Sequence, residues 1–171
     1  MEDSNEYKLI SNFYGDKVAN RSQVLLMNHI DEGLVVLDSI SASEDAMKAF
    51  CIHPMIQNDS DLKQNAGLIA HYCKPYVVML AMEYRSVANE FLSDKVSPNL
   101  PIDAIRLSPL WEVNDMLVAD KVQNYKDFIT YHKGSHARSK ELECYFEKLL
   151  AVLKVRESFD SFCMAIEDSK R

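Results

Sequence analysis

Apolar residues recur along most of the chain at spacings of three and four rather than by alternation, which is the period of helices that bury one face. Val24, Leu25, Met27, Ile30, Leu34, Val35 and Leu37 predict a helix from Val24 to Ile40 whose inner face carries His29. Ser43, followed by Glu44 and Asp45, reads as the start of a second helix, Ala46 to about Ile52, that runs into His53-Pro54. The stretch NDSDLKQNAG is polar and reads as a turn. Leu68 to Leu92 reads as helical with a restart near Pro75, because proline suits the first turn of a helix and not its interior. SDKVSPNLP reads as a surface linker.

Beyond it, Trp111 to about Tyr131 and Ser139 to Leu153 predict two further amphipathic helices, the second with Leu142, Tyr145, Phe146, Leu149, Leu150 and Leu153 along one face. The final stretch keeps helical periodicity through Phe159, Phe162, Cys163 and Ile166, as either a docked helix or a partner-binding one. With only four Gly and five Pro in the chain, the fold class expected is all-α, a helical bundle.

Composition sharpens this picture. A chain of 171 residues with 47% hydrophobic and 26% charged residues can bury one core, so a single helical domain over 1–155 with a C-terminal helical tail over 156–171 is expected. A formal charge of −7 disfavours gripping duplex nucleic acid, whereas a small anionic nucleotide can still find a local pocket of cationic groups. Cys51, Cys73, Cys144 and Cys163 lack CxxC spacing and read as reduced core thiols, the usage of a reducing compartment. The acidic start MEDSNEYKLI has neither the basic nor the apolar region of a leader, and no run of eighteen apolar residues occurs, so a cytoplasmic protein with no membrane partner is expected. Eight methionines and the amphipathic C-terminal segment fit a self-associating surface and core filling equally well.

No Walker-type glycine loop, GxSxG elbow or HExxH sequence is present. His29 and His53 fall on two predicted helices and Asp120, within MLVADKVQN, on a third. Two imidazoles and a carboxylate converging inside a bundle can hold a divalent metal, although each taken singly reads as a hydrogen-bonded core residue. The run from Tyr131 to Arg138 collects two His, a Lys and an Arg beside a helix start, either a phosphate-binding turn or a solvated loop. His71 and Cys73 form a weak metal pair, and Asp103, Asp115 and Asp127 read as surface or capping acids.

In their order, the segments RSQVLLMNHI, AFCIHPMIQND, MLVADKVQNYKDF and ELECYFEKLLAVL resemble the successive helices of an HD-superfamily phosphohydrolase, in particular the small single-domain (p)ppGpp hydrolases. The resemblance covers about residues 17 to 155. Its best-kept parts are the A-D-K-x-x-N core, here Ala119 to Asn124, and the closing element at Glu143-Cys144-Tyr145-Phe146. It implies a manganese-like divalent cation held by His29, His53 and Asp120. It also implies contacts from Arg21, Lys121, Asn124 and Tyr145 to a purine nucleotide carrying several phosphates, such as an alarmone.

Where the family has His-Asp, this chain has His53-Pro54, and where it has Glu-Asp, this chain has Gln57-Asn58. Proline offers no side-chain ligand, and neutral amides cannot serve as a general base. Asp59 and Asp61 stand close enough in sequence to substitute. Two readings therefore stay open. One is a working metal-dependent hydrolase whose catalytic region spans Gln57, Asn58, Asp59 and Asp61; the other is a degenerate relative that binds a nucleotide or a protein without turnover.

Overall fold

Local chemistry fixes where the helices begin. Ser4 accepts a hydrogen bond from the Tyr7 amide, Ser43 from that of Ala46 and Asn58 from that of Asp61, while Pro75 occupies the first position of its helix. In the computed structural model, which describes every residue except Arg21, Ser93, Asp94, Ser97 and Pro98, eight α-helices result. They are α1 (Asn5–Tyr14), α2 (Met27–Ser39), α3 (Glu44–Ile52), α4 (Asp59–Tyr72), α5 (Pro75–Glu90), α6 (Trp111–Asp127), α7 (Ser139–Val152) and α8 (Phe159–Asp168). No strand forms among the described residues beyond an isolated bridge between Val18 and Leu25, so the fold is all-α.

Helix α6 is the axis of the bundle because it is buried on nearly every side, from Met116 through Gln123 without interruption. It packs against α2, α3, α5, α7 and α8. Tyr125 joins the last two to it, stacking on Phe146 at 5.3 Å between centroids and meeting Phe159 at 4.9 Å. The C-terminal segment is thus a docked helix, with Phe162 and Ile166 of α8 buried against α2 and α6. Across the bundle, Gly33 of α2 lets the Phe50 ring of α3 come so close that a methyl group at Gly33 would overlap it.

Two expectations from the sequence are corrected and two features are added to them. The first long helix starts at Met27 instead of Val24, because the backbone of Ala19 and Val24, and of Lys17 and Leu26, pairs across a tight loop (2.8 and 2.9 Å). NDSDLKQNAG is not a turn but the capped first half of α4. This helix buries fully only Ile69, so its apolar period is faint, and it is anchored instead by the Asn58 cap and a bond from Asn65 to the Met55 carbonyl. Helix α1, unforeseen, lays Ile10 into the core. The α-helix from Trp111 stops at Asp127 and continues as a π-helical turn, Phe128–His132.

Among the described residues no helix is long and apolar enough to cross a membrane. Cys51 and Cys73 are buried, Cys144 and Cys163 half-buried, and all four are free thiols.

Candidate metal centre

Three elements deliver the central side chains. His29 sits in the first turn of α2, Asp120 in the middle of α6, and His53 at the junction between α3 and a 3₁₀ turn, His53–Ile56. Pro54 makes that junction. In a continuing α-helix the Phe50 carbonyl would accept the amide of residue 54, but proline has no N–H, and the carbonyl is left for another donor. His53 takes it: its Nδ1 lies 2.6 Å from the Phe50 oxygen. A carbonyl can only accept, so Nδ1 of His53 carries the hydrogen and Nε2 a lone pair.

His29 is fixed in the same sense from another direction. Its Nδ1 lies 2.7 Å from Oε1 of Gln123. That amide cannot be turned over, because its Nε2 donates to Glu32 Oε2 (3.1 Å) and to Asp127 Oδ2 (2.8 Å). Both imidazoles therefore present unprotonated Nε2 atoms to one point, 3.4 Å apart, and Asp120 Oδ1 stands 3.7 Å from that of His29. The three donor atoms all lie within 4.8 Å of one another. Two facing nitrogen lone pairs beside a carboxylate repel unless a positive charge lies between them. As a donor set of two imidazoles and a carboxylate, the group fits a divalent metal ion.

The electrostatics around it are those of a buried site. Burial first, and then neighbouring His29, pushes the His53 imidazole down to about 3, so the ring is neutral at physiological pH. Burial works to raise the Asp120 carboxyl, but Lys121 and the two histidines outweigh it and hold the group at about 2. Lys121 Nζ lies 2.7 Å from Asp120 Oδ2, and Asn124 donates to Oδ1 at 2.9 Å. Tyr84 is fully buried with its ring centre 4.8 Å from that of His53, and burial and the Asp120 carboxylate raise its pKa. Lys121 is in turn held above its ordinary value by Asp120 and Tyr145 in spite of its burial.

The group forms the floor of a cavity of about 530 Å³, whose wall includes Tyr14, Pro54, Gln57 and Asp61. Lys121 and Asn124 reach it as well, so the structure brings together His29, His53, Asp120, Lys121, Asn124, Gln57 and Asp61 of the residues singled out from the sequence. Others lie elsewhere. Tyr145 is buried beside Lys121, with its hydroxyl donating to the Phe91 carbonyl at 3.1 Å, and does not line the cavity. Asn58 caps α4, and Asp59 is an exposed partner of Arg85. Arg21 lies outside the described residues.

Of the secondary candidates, Lys133 and Arg138 are paired with Glu143 and Glu141, both at 2.7 Å, which neutralises the charge that a phosphate turn needs. His71 is exposed and Cys73 buried, and the two belong to no group of converging ligands among the described residues. Asp103 is exposed, and Asp115 is half-buried, its pKa raised by burial and by Glu112. Asp127 is more than a surface acid, since it receives both Gln123 and Lys126 at the edge of the cavity.

Sequence reasoning missed Gln123, Tyr84, Tyr14 and Glu32. Gln123 was within reach: it stands three residues after Asp120 and so shares its face of α6. Tyr84 sits on a different helix with nothing local to mark it. Comparison of the chain with protein-family models, with curated proteins and with solved structures finds no match, so the centre stands on its own geometry.

Proposed function

We propose that the chain is a divalent-metal-dependent phosphohydrolase of the HD-superfamily type whose cavity takes a phosphorylated purine nucleotide, an alarmone such as (p)ppGpp being one such ligand. The observation that carries the reading is the pair of histidines whose Nδ1 atoms are both committed as donors, so that two Nε2 lone pairs and a carboxylate oxygen meet at one buried point. A divalent cation there would supply Lewis acidity toward a phosphoryl oxygen and lower the pKa of a water.

The chain's own groups have defined work around it. Lys121 and Asn124 hold the Asp120 carboxylate in place. Asp61, the carboxylate of the Asp59 and Asp61 pair that lines the cavity, is the group to accept a proton from an attacking water. Among the described residues lining the cavity, one lysine faces three aspartates, Asp61, Asp120 and Asp127. A polyphosphate therefore gains little from the protein alone and needs the metal's charge to bind.

A specific observation favours a second reading, binding without turnover. The Gln57 side-chain amide donates to Asn89 Oδ1 at 2.6 Å while the Gln57 main-chain carbonyl accepts from Asn89 at 3.1 Å, and Pro54 has no side-chain ligand atom. Neither a neutral amide nor a proline can act as a general base.

Metal analysis and turnover separate the two. The purified chain should retain about one transition-metal ion and lose it on His29→Ala. With manganese added, hydrolysis of (p)ppGpp or of one member of a nucleoside triphosphate panel should fall by about 10²-fold or more on Asp120→Asn. Equal rates for parent and variant reject the hydrolase, and nucleotide binding without turnover selects the second reading.

A further inference from the structure

We infer that Gln123 is a positioning residue: its amide, locked by a buried carboxylate, fixes the orientation and the tautomer of His29. The inference rests on the metal-centre reading for its purpose, but not for its test. A neutral imidazole carries one hydrogen, and which nitrogen holds it depends on the partner of the other. Only an acceptor at Nδ1 leaves Nε2 free to donate electrons into the cavity. Gln123 Oε1 is that acceptor, at 2.7 Å.

A glutamine side chain by itself is ambiguous, since its oxygen and nitrogen can exchange places by a half-turn. Here the ambiguity is removed by charge. Both hydrogens of the Gln123 amide point at carboxylates, Glu32 and Asp127, and a turned amide would set its oxygen against two anions. The side chain is 1% exposed, so no water takes over the task.

Glu32 is the base of this arrangement. It is 2% exposed, and it keeps its charge because Lys126 Nζ (2.6 Å) and Lys170 Nζ (2.5 Å) both reach it; burial works against ionisation, and the two lysines overcome it. The line of contact Lys170, Glu32, Gln123, His29 therefore runs from the residues just beyond α8 to the donor atom at the floor of the cavity. It draws on α2 and α6, neither of which alone could orient the ring.

The test is the ring's tautomer in the metal-free protein, read by long-range ¹⁵N–¹H correlation well above the ordinary imidazole range, with metal affinity as a separate readout. The parent should show His29 hydrogenated at Nδ1. Gln123→Leu should lose that signature and show hydrogen at Nε2, and its affinity for zinc or manganese should fall by about 10- to 100-fold. A parent ring hydrogenated at Nε2 overturns the inference without any variant, so the possibility that Gln123→Leu folds poorly does not shelter it. An unchanged tautomer in the variant overturns it as well. A parent that shows the Nδ1 hydrogen, loses it on substitution and yet takes up neither metal upholds the positioning role while removing the metal centre.

Discussion

At the scale of single residues, the site is governed by what each side chain is forbidden to do. Pro54 cannot donate, so the Phe50 carbonyl turns to His53; the Gln123 amide cannot turn over, so His29 faces inward. Burial keeps His53 neutral, with a pKa of about 3 against an ordinary 6.5. The sign of its effect on stability follows. Between those values the unfolded chain binds a proton that the folded chain refuses, so the metal-free protein loses stability as pH falls from 6.5 toward 3, by on the order of a few kcal/mol in total. Asp120, held at about 2 against 3.8, adds a second loss below pH 3.8 as its ion pair is protonated away. Urea midpoints of the metal-free chain should trace this decline, and His53→Phe should flatten it between pH 6.5 and 3.8, where Asp120 contributes little. A decline equally steep in the variant assigns the slope to other groups.

Two further predictions concern whole elements. Asn58, a candidate catalytic position on the sequence alone, caps α4. Asn58→Ala should therefore cost about 1 kcal/mol of stability, seen in thermal melts followed by circular dichroism, and leave metal affinity unchanged. In α2, Gly33→Ala improves helix propensity by about 1 kcal/mol but drives a methyl group into Phe50, an overpacking that costs roughly 1–3 kcal/mol or more. Because the Phe50 ring packs on both histidines, at 4.8 Å from His53 and 5.5 Å from His29, the same substitution should weaken metal binding, which calorimetry can measure. A stabilised variant with parental affinity would show that α2 and α3 separate easily.

The elements also show why the sequence was legible in some places and opaque in others. Helices that bury a broad apolar stripe, such as α3 and α7, and caps such as Ser43 could be read directly. Helix α4 could not, since capping and side-chain bonds hold it where apolar burial is slight. Val24 and Leu25 matched a helical period only because it extends α2 backward; the backbone spends them on a loop. His29, His53 and Asp120 were recognisable by residue type and order, but the bond that aims His29 runs to a residue about ninety positions away. No local pattern records such pairings.

For the whole molecule, the centre draws on both ends of the chain, and a metal bound there would tie α2, the α3 junction and α6 to one another. Anything that binds the folded chain alone stabilises it by mass action. At a free manganese or zinc concentration of 100 times the dissociation constant, the gain is about 2.7 kcal/mol, and a chelator should reverse it. Differential scanning calorimetry would show this as a higher melting temperature, absent in His29→Ala. Nucleotide binding should follow the metal, because the cavity's described lining is net acidic. Titration of a nucleoside polyphosphate into chelator-treated protein should give no heat, and full affinity in the treated sample would place phosphate recognition elsewhere.

The shielded thiols offer a clock. Burial pushes Cys51 up to about 12 and the half-buried Cys163 to about 11, so at neutral pH both sulfurs stay protonated and react slowly while their helices are closed, Cys51 the more slowly. Alkylation of the native chain by iodoacetamide then counts opening events, and the two positions time different parts of the bundle. Cys51 lies two residues from His53 on α3, whereas Cys163 rides on the terminal α8. Mapping which sulfur is trapped first would give the order in which the molecule comes apart.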